Sequence, residues 1–321
     1  YISVTGVQTC ALPISPRYAD DAIAALDSSE WIPSEVALLR AKRRSVMREH
    51  YDIAVIGSGP GGEGAAMTAA KGGRRVAVID ADIEVGGSCT HRGTIPSKAL
   101  RHAIQRLAGE SGADPDYGEL IRKAEGVIRN QVQLRSGFYE RNHVEVIAGR
   151  ATLADPHTIE VMTDGARHRC QADKIILAAG SRPYRPPDVD FSNPHIVDSD
   201  TVLRLKRTPR SITIYGAGVI GCEYACMFAA LGVQVHVVEK RNHIVGGMDN
   251  EISATLQARM ESAGVKFFMA DSITHVECGE HVELHLESGT SIKTNAVLVS
   301  SGRSGQTGSL GLEKIGVETT S

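Results

Sequence analysis

Gly57, Gly59 and Gly62 spell Gly-x-Gly-x-x-Gly directly after the apolar run 53–56, and Gly216, Gly218 and Gly221 repeat it after 212–215. Each copy continues into a small-residue helical stretch, a second apolar run and an acid. The acids, Asp80 and Glu239, each stand 23 residues past the first glycine of their copy. The chemistry open to such residues is the holding of a dinucleotide. The first glycine allows a tight turn, the second lets backbone approach a pyrophosphate, and the third permits close contact between helix and strand. Phosphates then meet a helix N-terminus with its free N–H groups, and the acid accepts hydrogen bonds from ribose hydroxyls. One such motif is weak evidence; two in the same strand–turn–helix–strand–acid context are strong. Two dinucleotides on one chain imply a flavin relaying electrons to or from a nicotinamide. Lys240 and Arg241 follow the second acid. The acid favours an unphosphorylated ribose and the two cations suit a 2′-phosphate, giving NAD preference with tolerance of NADP; the other reading is two exposed cations at a strand end.

The elements that position these groups are legible around them. Residues 52–56 read as a buried strand, 61–71 as an Ala- and Gly-rich helix and 75–79 as the next strand, a crossover typical of a parallel sheet. Helical periodicity marks 97–110 and 118–141. Strands are expected at 144–147, 158–162 and 174–178, the last stopped by Gly180 and Pro183. A polar, Pro-bearing connection at 186–209 suggests the domain boundary. The second unit starts at 211 and continues with a helix at 249–263 and strands at 265–269, 273–278, 281–286 and 296–300.

Length and composition bound the rest. The 321 residues suit two domains. A formal charge of −3 gives no reason to expect nucleic acid, and the basic run 40–44 reads as a solvated helix face. No apolar stretch approaches the ~18–20 residues of a membrane span, and no secretory signal is expected. Six irregularly spaced cysteines form no disulfide framework and fit a reducing cytoplasm. Cys222 and Cys226 share a helix face, best explained by packing. No histidine pair has zinc-ligand spacing, so no metal is expected. The chain opens on Tyr1, and its first methionine is Met47. Residues 1–15 resemble translated adapter read-through, and 1–46 are read as an extension outside the functional protein, Trp31 and a helix after Pro33 included. A first domain is then expected at 47–195 and a second at 196–321.

The sharpest signal is 86–99, GGSCTHRGTIPSKA. It resembles the pyridine nucleotide–disulfide oxidoreductases, flavoproteins that place Cys-x-x-x-x-Cys beside the flavin, followed by Ile-Pro-Ser-Lys. This chain keeps Cys89 and Ile95-Pro96-Ser97-Lys98 but carries Thr94 at the second cysteine position. A single thiol cannot cycle between dithiol and disulfide, so disulfide reduction is disfavoured. The departure is similar to one branch of that family, which passes hydride between nicotinamide nucleotides. The segments 57–66 (GSGPGGEGAA), 89–102 (CTHRGTIPSKALRH), 137–143 (GFYERNH), 180–184 (GSRPY), 188–191 (DVDF), 214–225 (IYGAGVIGCEYA) and 301–310 (SGRSGQTGSL) carry the likeness. Gln306 replaces the usual asparagine, and Arg92 stands where an aromatic residue is usual.

The resemblance implies an α/β fold of two Rossmann-like dinucleotide-binding domains, FAD first and NAD(P) second. It also implies a continuation of roughly 100–150 residues, a C-terminal interface domain absent from this sequence. The implied activity is an FAD-dependent transhydrogenase carrying hydride from NADPH to NAD+ through the flavin, in a homo-oligomer for the full-length protein. Lys98 would lie near the flavin and pair with Glu223, these two being the catalytic residues. Asp80 to Cys89, including Gly86, Gly87 and Ser88, would line the FAD ribose and phosphates, with Gly180 and Gly302 adding to the cofactor sites. Cys89 would be a remnant thiol, and Val219 stands where some relatives carry a gating tyrosine. A dihydrolipoamide dehydrogenase-like enzyme, an NAD(P)H oxidase and a nucleotide-binding fragment without turnover remain as alternatives.

Overall fold

Parallel pairing of short apolar strands sets both glycine-rich turns. The computed structural model describes residues 48–319 except 109–116, 188, 206 and 280; Met47, Trp31, the basic run 40–44 and the helix after Pro33 lie outside the described residues. Strand β1 (His50–Ile56) is followed by α1 (Pro60–Lys71) and β2 (Val76–Asp80), with Ile53 opposite Val76 and Ile56 opposite Ile79. Ala54, Val55 and Val76–Ile79 are buried, as expected of strands covered on both faces. Further along come β3 (Glu145–Ala148), β4 (Arg150–Leu153), β5 (Thr158–Thr163) and β6 (Ala166–Leu177). They complete a six-stranded sheet of order β3-β2-β1-β6-β5-β4. Its first four strands are parallel and its last two antiparallel.

Strand β6 is longer than the expected 174–178. Its second half pairs with β1, while its polar first half forms a ladder with β5. Exposed polar residues leave no apolar period to read there; backbone pairing with β5 makes them a strand.

The described residues form two units, and neither is one continuous stretch of chain. The first takes the described residues up to Gly87, with Arg129–Ala179 and Ser309–Glu318; the second takes Ser88–Ile128 and Gly180–Gly308. In the first unit, Leu310 and Leu312 join Leu153, Ile159 and Val161 in one core, and Leu153 N–H donates to the Leu310 carbonyl at 2.9 Å.

The second unit is built on β9 (Ser211–Tyr215), α5 (Val219–Ala230), β10 (Gln234–Glu239), α6 (Asn250–Ser262), β11 (Lys266–Met269) and β15 (Ala296–Val299). Between sequence positions 87 and 141 lie α2 (Gly87–His91), α3 (Thr94–Ala108) and α4 (Tyr117–Arg141), and β7 (Ser181–Pro183) and β8 (Ile196–Asp198) follow β6. The order β11-β10-β9-β15-β8 is parallel throughout. An antiparallel insert, β12 (Ile273–Cys278), β13 (Val282–Leu286) and β14 (Ser291–Thr294), precedes β15. A two-stranded ribbon joins β7 to β16 (Arg303–Gly305).

Helix α5 is apolar on most of its circumference and buries Tyr224, Ala225, Met227 and Phe228. Leu100 and Ile104 of α3 and Tyr117 and Leu120 of α4 share its core. Tyr117 stacks on Phe228 at 6.0 Å between ring centres, and its hydroxyl donates to the Val202 carbonyl at 3.0 Å. Phe228 thus ties α5 to α4. Phe228→Ala is expected to destabilise the second unit by about 3–5 kcal/mol, read as a lower urea midpoint for its unfolding.

Candidate functional site

The first turn is locked by its own acid. The buried Ser58 donates its N–H to Asp80 Oδ2 at 2.6 Å, and Asp82 N–H reaches Asp80 Oδ1 at 2.9 Å. Ser58 Oγ accepts from Gly86 N–H at 3.0 Å, drawing the loop after β2 against the turn. Gly57 has φ +107°, and a Cβ there would strike the Ala178 carbonyl oxygen; one at Gly62 would strike the carbonyl oxygen of Gly57. Gly87, at φ +58°, lies so close that a Cβ would come within 2.9 Å of Gly59 Cα. Gly59 is different: its φ of −65° suits any residue, and a Cβ would meet nothing within 4 Å. It caps α1 with no side-chain hydrogen bond, so the first N–H groups of the helix have no side-chain partner there.

The second turn repeats the first. Gly216 has φ +107° and donates its N–H to Val238 O at 2.8 Å, as Gly57 does to Ile79 O at 2.8 Å. A Cβ at Gly221 would strike the Gly216 carbonyl oxygen, whereas one at Gly218 would meet nothing within 4 Å. Gly218 caps α5, again without a side-chain bond. Ala217 N–H donates to Glu239 Oε2 at 2.7 Å and Arg241 N–H to Glu239 Oε1 at 3.0 Å. The Arg241 guanidinium adds bonds of 3.0 Å from Nε to Oε1 and 3.3 Å from Nη2 to Oε2. Burial works against charge on Glu239, but the guanidinium and the two backbone N–H groups outweigh it and hold the carboxyl below its ordinary range. Val219, just past the cap, is exposed.

Lys98 lies on the first turn of α3, behind the buried Pro96 and Ser97, whose hydroxyl donates to the Thr94 carbonyl at 3.2 Å. Its Nζ donates to Glu223 Oε1 at 2.5 Å, tying α3 to α5 within the second unit; the lysine is half exposed and the acid mostly covered. Cys89 is half-buried on α2, and Thr94 is exposed. Ser88 accepts from Arg92 N–H at 2.9 Å and Gly93 N–H at 2.6 Å through its carbonyl. Burial pushes the Cys222 thiol up to about 12 and raises that of Cys226. Both therefore stay protonated near neutrality.

Gly180 and Gly302 take φ of +73° and +129° at the ends of the β7–β16 ribbon. Sequence reasoning missed what surrounds them. Arg303 bonds Ser181 Oγ at 2.9 Å, the Ser181 carbonyl at 2.8 Å, Ser199 Oγ at 3.2 Å and Asp200 Oδ1 at 3.1 Å. Arg92 Nε stands 4.0 Å from Asp200 Oδ2, so the arginine found in place of an aromatic residue faces a carboxylate. The Gly-Arg pair at 302–303 was the only local signal, because Ser181 and Asp200 are distant in sequence.

Two sheets with parallel cores, each feeding a bare glycine-capped helix and closed by an acid on the turn, define a protein built from two Rossmann-type dinucleotide-binding units. The chain belongs to the pyridine nucleotide-disulphide oxidoreductase family, whose model matches residues 51–321. It is 46% identical over 285 residues to the soluble pyridine nucleotide transhydrogenase of Pseudomonas fluorescens strain Pf-5, covering 85% of this chain and 61% of that protein. The same-named proteins of Pseudomonas putida KT2440 and Photorhabdus laumondii are 45% and 46% identical, each over 85% of this chain and 61% of its own length. The chain thus spans about three fifths of the curated relatives it matches. Among solved structures it is similar to the Cu(II) complex of the HOCl-induced flavoprotein disulfide reductase RclA from Escherichia coli. That likeness has a TM-score of 0.78 and 28% identity, over 85% of this chain and 61% of the other.

A carboxyl that ionises more readily folded than unfolded contributes stability above its unfolded pKa, and that contribution is lost as pH falls through the folded value. Glu239→Gln is therefore expected to destabilise the second unit above about pH 4.5, the ordinary glutamate value. The difference from the unaltered protein should shrink in more acid solution, as measured by denaturant titrations across pH.

Proposed function

We propose that this chain is the two-dinucleotide portion of an FAD-dependent soluble transhydrogenase that moves hydride from NADPH to NAD+. The observation that carries the reading is the Lys98–Glu223 pair at 2.5 Å on a segment that holds Cys89 but has Thr94 five residues later, where a second thiol would be needed for disulfide chemistry. The names of the relatives support it.

The first unit fits FAD on its own terms. Gly57, Gly62 and Gly87 are required by close backbone contacts, but nothing among the described residues requires a glycine at 59. A glycine that neither φ nor packing demands, at a bare helix start, suits the close approach of a pyrophosphate. Gly57, Gly59, Gly62, Gly86 and Gly87 would hold the phosphate side. Asp80 accepts two backbone bonds among the described groups, and a carboxylate offers about four lone-pair sites, which leaves acceptors for ribose hydroxyls. FAD, when bound, supplies a ring that accepts and returns hydride. Gly180 and Gly302 belong to the same proposed cofactor sites.

The second unit repeats the logic for the nicotinamide nucleotides, with Gly216, Gly218, Gly221, Glu239 and Arg241 as their residues. Gly218, like Gly59, is a glycine the packing does not demand. Exposed Val219 at the helix start sets no aromatic ring over that approach. Lys98 is assigned the task of stabilising negative charge on the reduced cofactor, and Glu223 that of holding the lysine in place by a charge-assisted hydrogen bond. A cytoplasmic location is part of the same reading.

The test is transfer of hydride from NADPH to an NAD+ analogue by the FAD-loaded protein, followed as analogue reduction. Transfer without reduction of lipoamide supports the reading; lipoamide reduction would replace it with a dithiol enzyme. Oxygen consumption without a second nicotinamide would replace it with an oxidase, and nucleotide binding without transfer would leave a non-catalytic portion. Lys98→Gln is expected to lower the transfer rate about 100-fold with little change in the retained flavin absorbance.

A further inference from the structure

Residues 82 and 241 stand at the same place in the two repeats, two positions after the acid, and do the same backbone work: each donates its N–H to that acid, at 2.9 and 3.0 Å. Their side chains have opposite charge. In the first unit Asp80 accepts only its two backbone bonds among the described groups. In the second, Glu239 accepts four: Ala217 N–H and Arg241 Nη2 on Oε2, and Arg241 N–H and Nε on Oε1. Four bonds use about all the acceptor sites a carboxylate has.

A ribose hydroxyl can therefore reach Glu239 only by displacing a donor. The two backbone donors are fixed by the turn. The guanidinium is not fixed: the Arg241 side chain is 48% exposed, against 7% for Glu239. It also lies over Gly246, where a Cβ would strike Nη1, so glycine at 246 keeps its path clear.

We propose that Arg241 is an exchangeable counter-cation that lets one acid serve both nicotinamide nucleotides. This inference rests on reading the second unit as their site. With a 2′-phosphate, the guanidinium leaves Glu239 and pairs with the phosphate in bidentate fashion, cancelling the repulsion the acid would exert. With an unphosphorylated ribose, it swings to solvent and the vacated lone pairs of Glu239 accept the hydroxyls. The first unit carries an acid, Asp82, where the second carries its arginine, and selects the unphosphorylated ribose of FAD.

The exchange makes an unusual demand: each partner restrains the other, so removing either one improves one ligand. The 321-residue chain saturated with FAD is titrated by calorimetry with adenosine 2′,5′-bisphosphate and with 5′-AMP. Arg241→Gln should weaken the bisphosphate about 10- to 100-fold and tighten 5′-AMP, while Arg241→Lys should recover part of the bisphosphate affinity. Glu239→Gln, which keeps an acceptor for the turn amide, should tighten the bisphosphate and weaken 5′-AMP. An equal loss for both ligands in Arg241→Gln, or no gain for the bisphosphate in Glu239→Gln, would overturn the exchange and leave Arg241 as a structural clamp. If the unaltered protein binds neither ligand, the reading of the second unit falls, and the exchange with it.

Discussion

Everything in both units hangs on a carboxylate reaching back from the end of one strand to the turn that leaves its neighbour. Asp80 on Ser58 N–H and Glu239 on Ala217 N–H fix a backbone amide that the parallel ladder leaves unpaired. That bond orients the turn, the turn aims the helix, and the helix presents its N-terminal amides without a side-chain cap. The glycines then divide by physical cause. Gly57, Gly62, Gly216 and Gly221 are demanded by the chain's own atoms, while Gly59 and Gly218 are not. At these two turns the sequence holds more backbone freedom than the packing around them requires.

Lys98 and Glu223 form a pair between two helices of the second unit. A cation sits on a helix whose preceding residues are buried, held by an acid that is mostly covered on a second, strongly buried helix. Such a pair is preorganised: the acid gives the lysine a preferred position, and α5 is held by the stacking of Tyr117, Tyr224 and Phe228. Cys222, on the same helix, stays a protonated thiol because burial disfavours its charge. Packing and electrostatics therefore separate the polar partner from its apolar helix neighbours.

Both glycine turns, their acids and the elements around them were legible because each depends on local spacing: glycine against strand end, acid against glycine, apolar runs against turns. The strand at 158–162 and the helices at 118–141 and 249–263 match observed elements to within a residue or so at most ends. What local pattern cannot carry is pairing between distant polar residues. Strand β4, the first half of β6 and β14 are strands because of their ladders with β5 and β13. The Arg303 cluster joins residues about a hundred positions apart. The four-donor saturation of Glu239 was half legible: a cation near the acid was evident, but its grip on the carboxylate depends on a rotamer, which no sequence spacing prints.

The first core has a further property. Leu310 and Leu312, near the end of the sequence, pack with Leu153 and Ile159, and the Leu310 carbonyl accepts from Leu153 N–H. During synthesis the strands that open the first unit leave the ribosome long before these two leucines exist, and the whole of Gly180–Gly308 is made in between. The first unit must wait with part of its apolar surface uncovered while the second completes its parallel sheet. The order of birth along the chain is therefore not the order of completion: the unit that starts first is sealed after the sheet of the second is made.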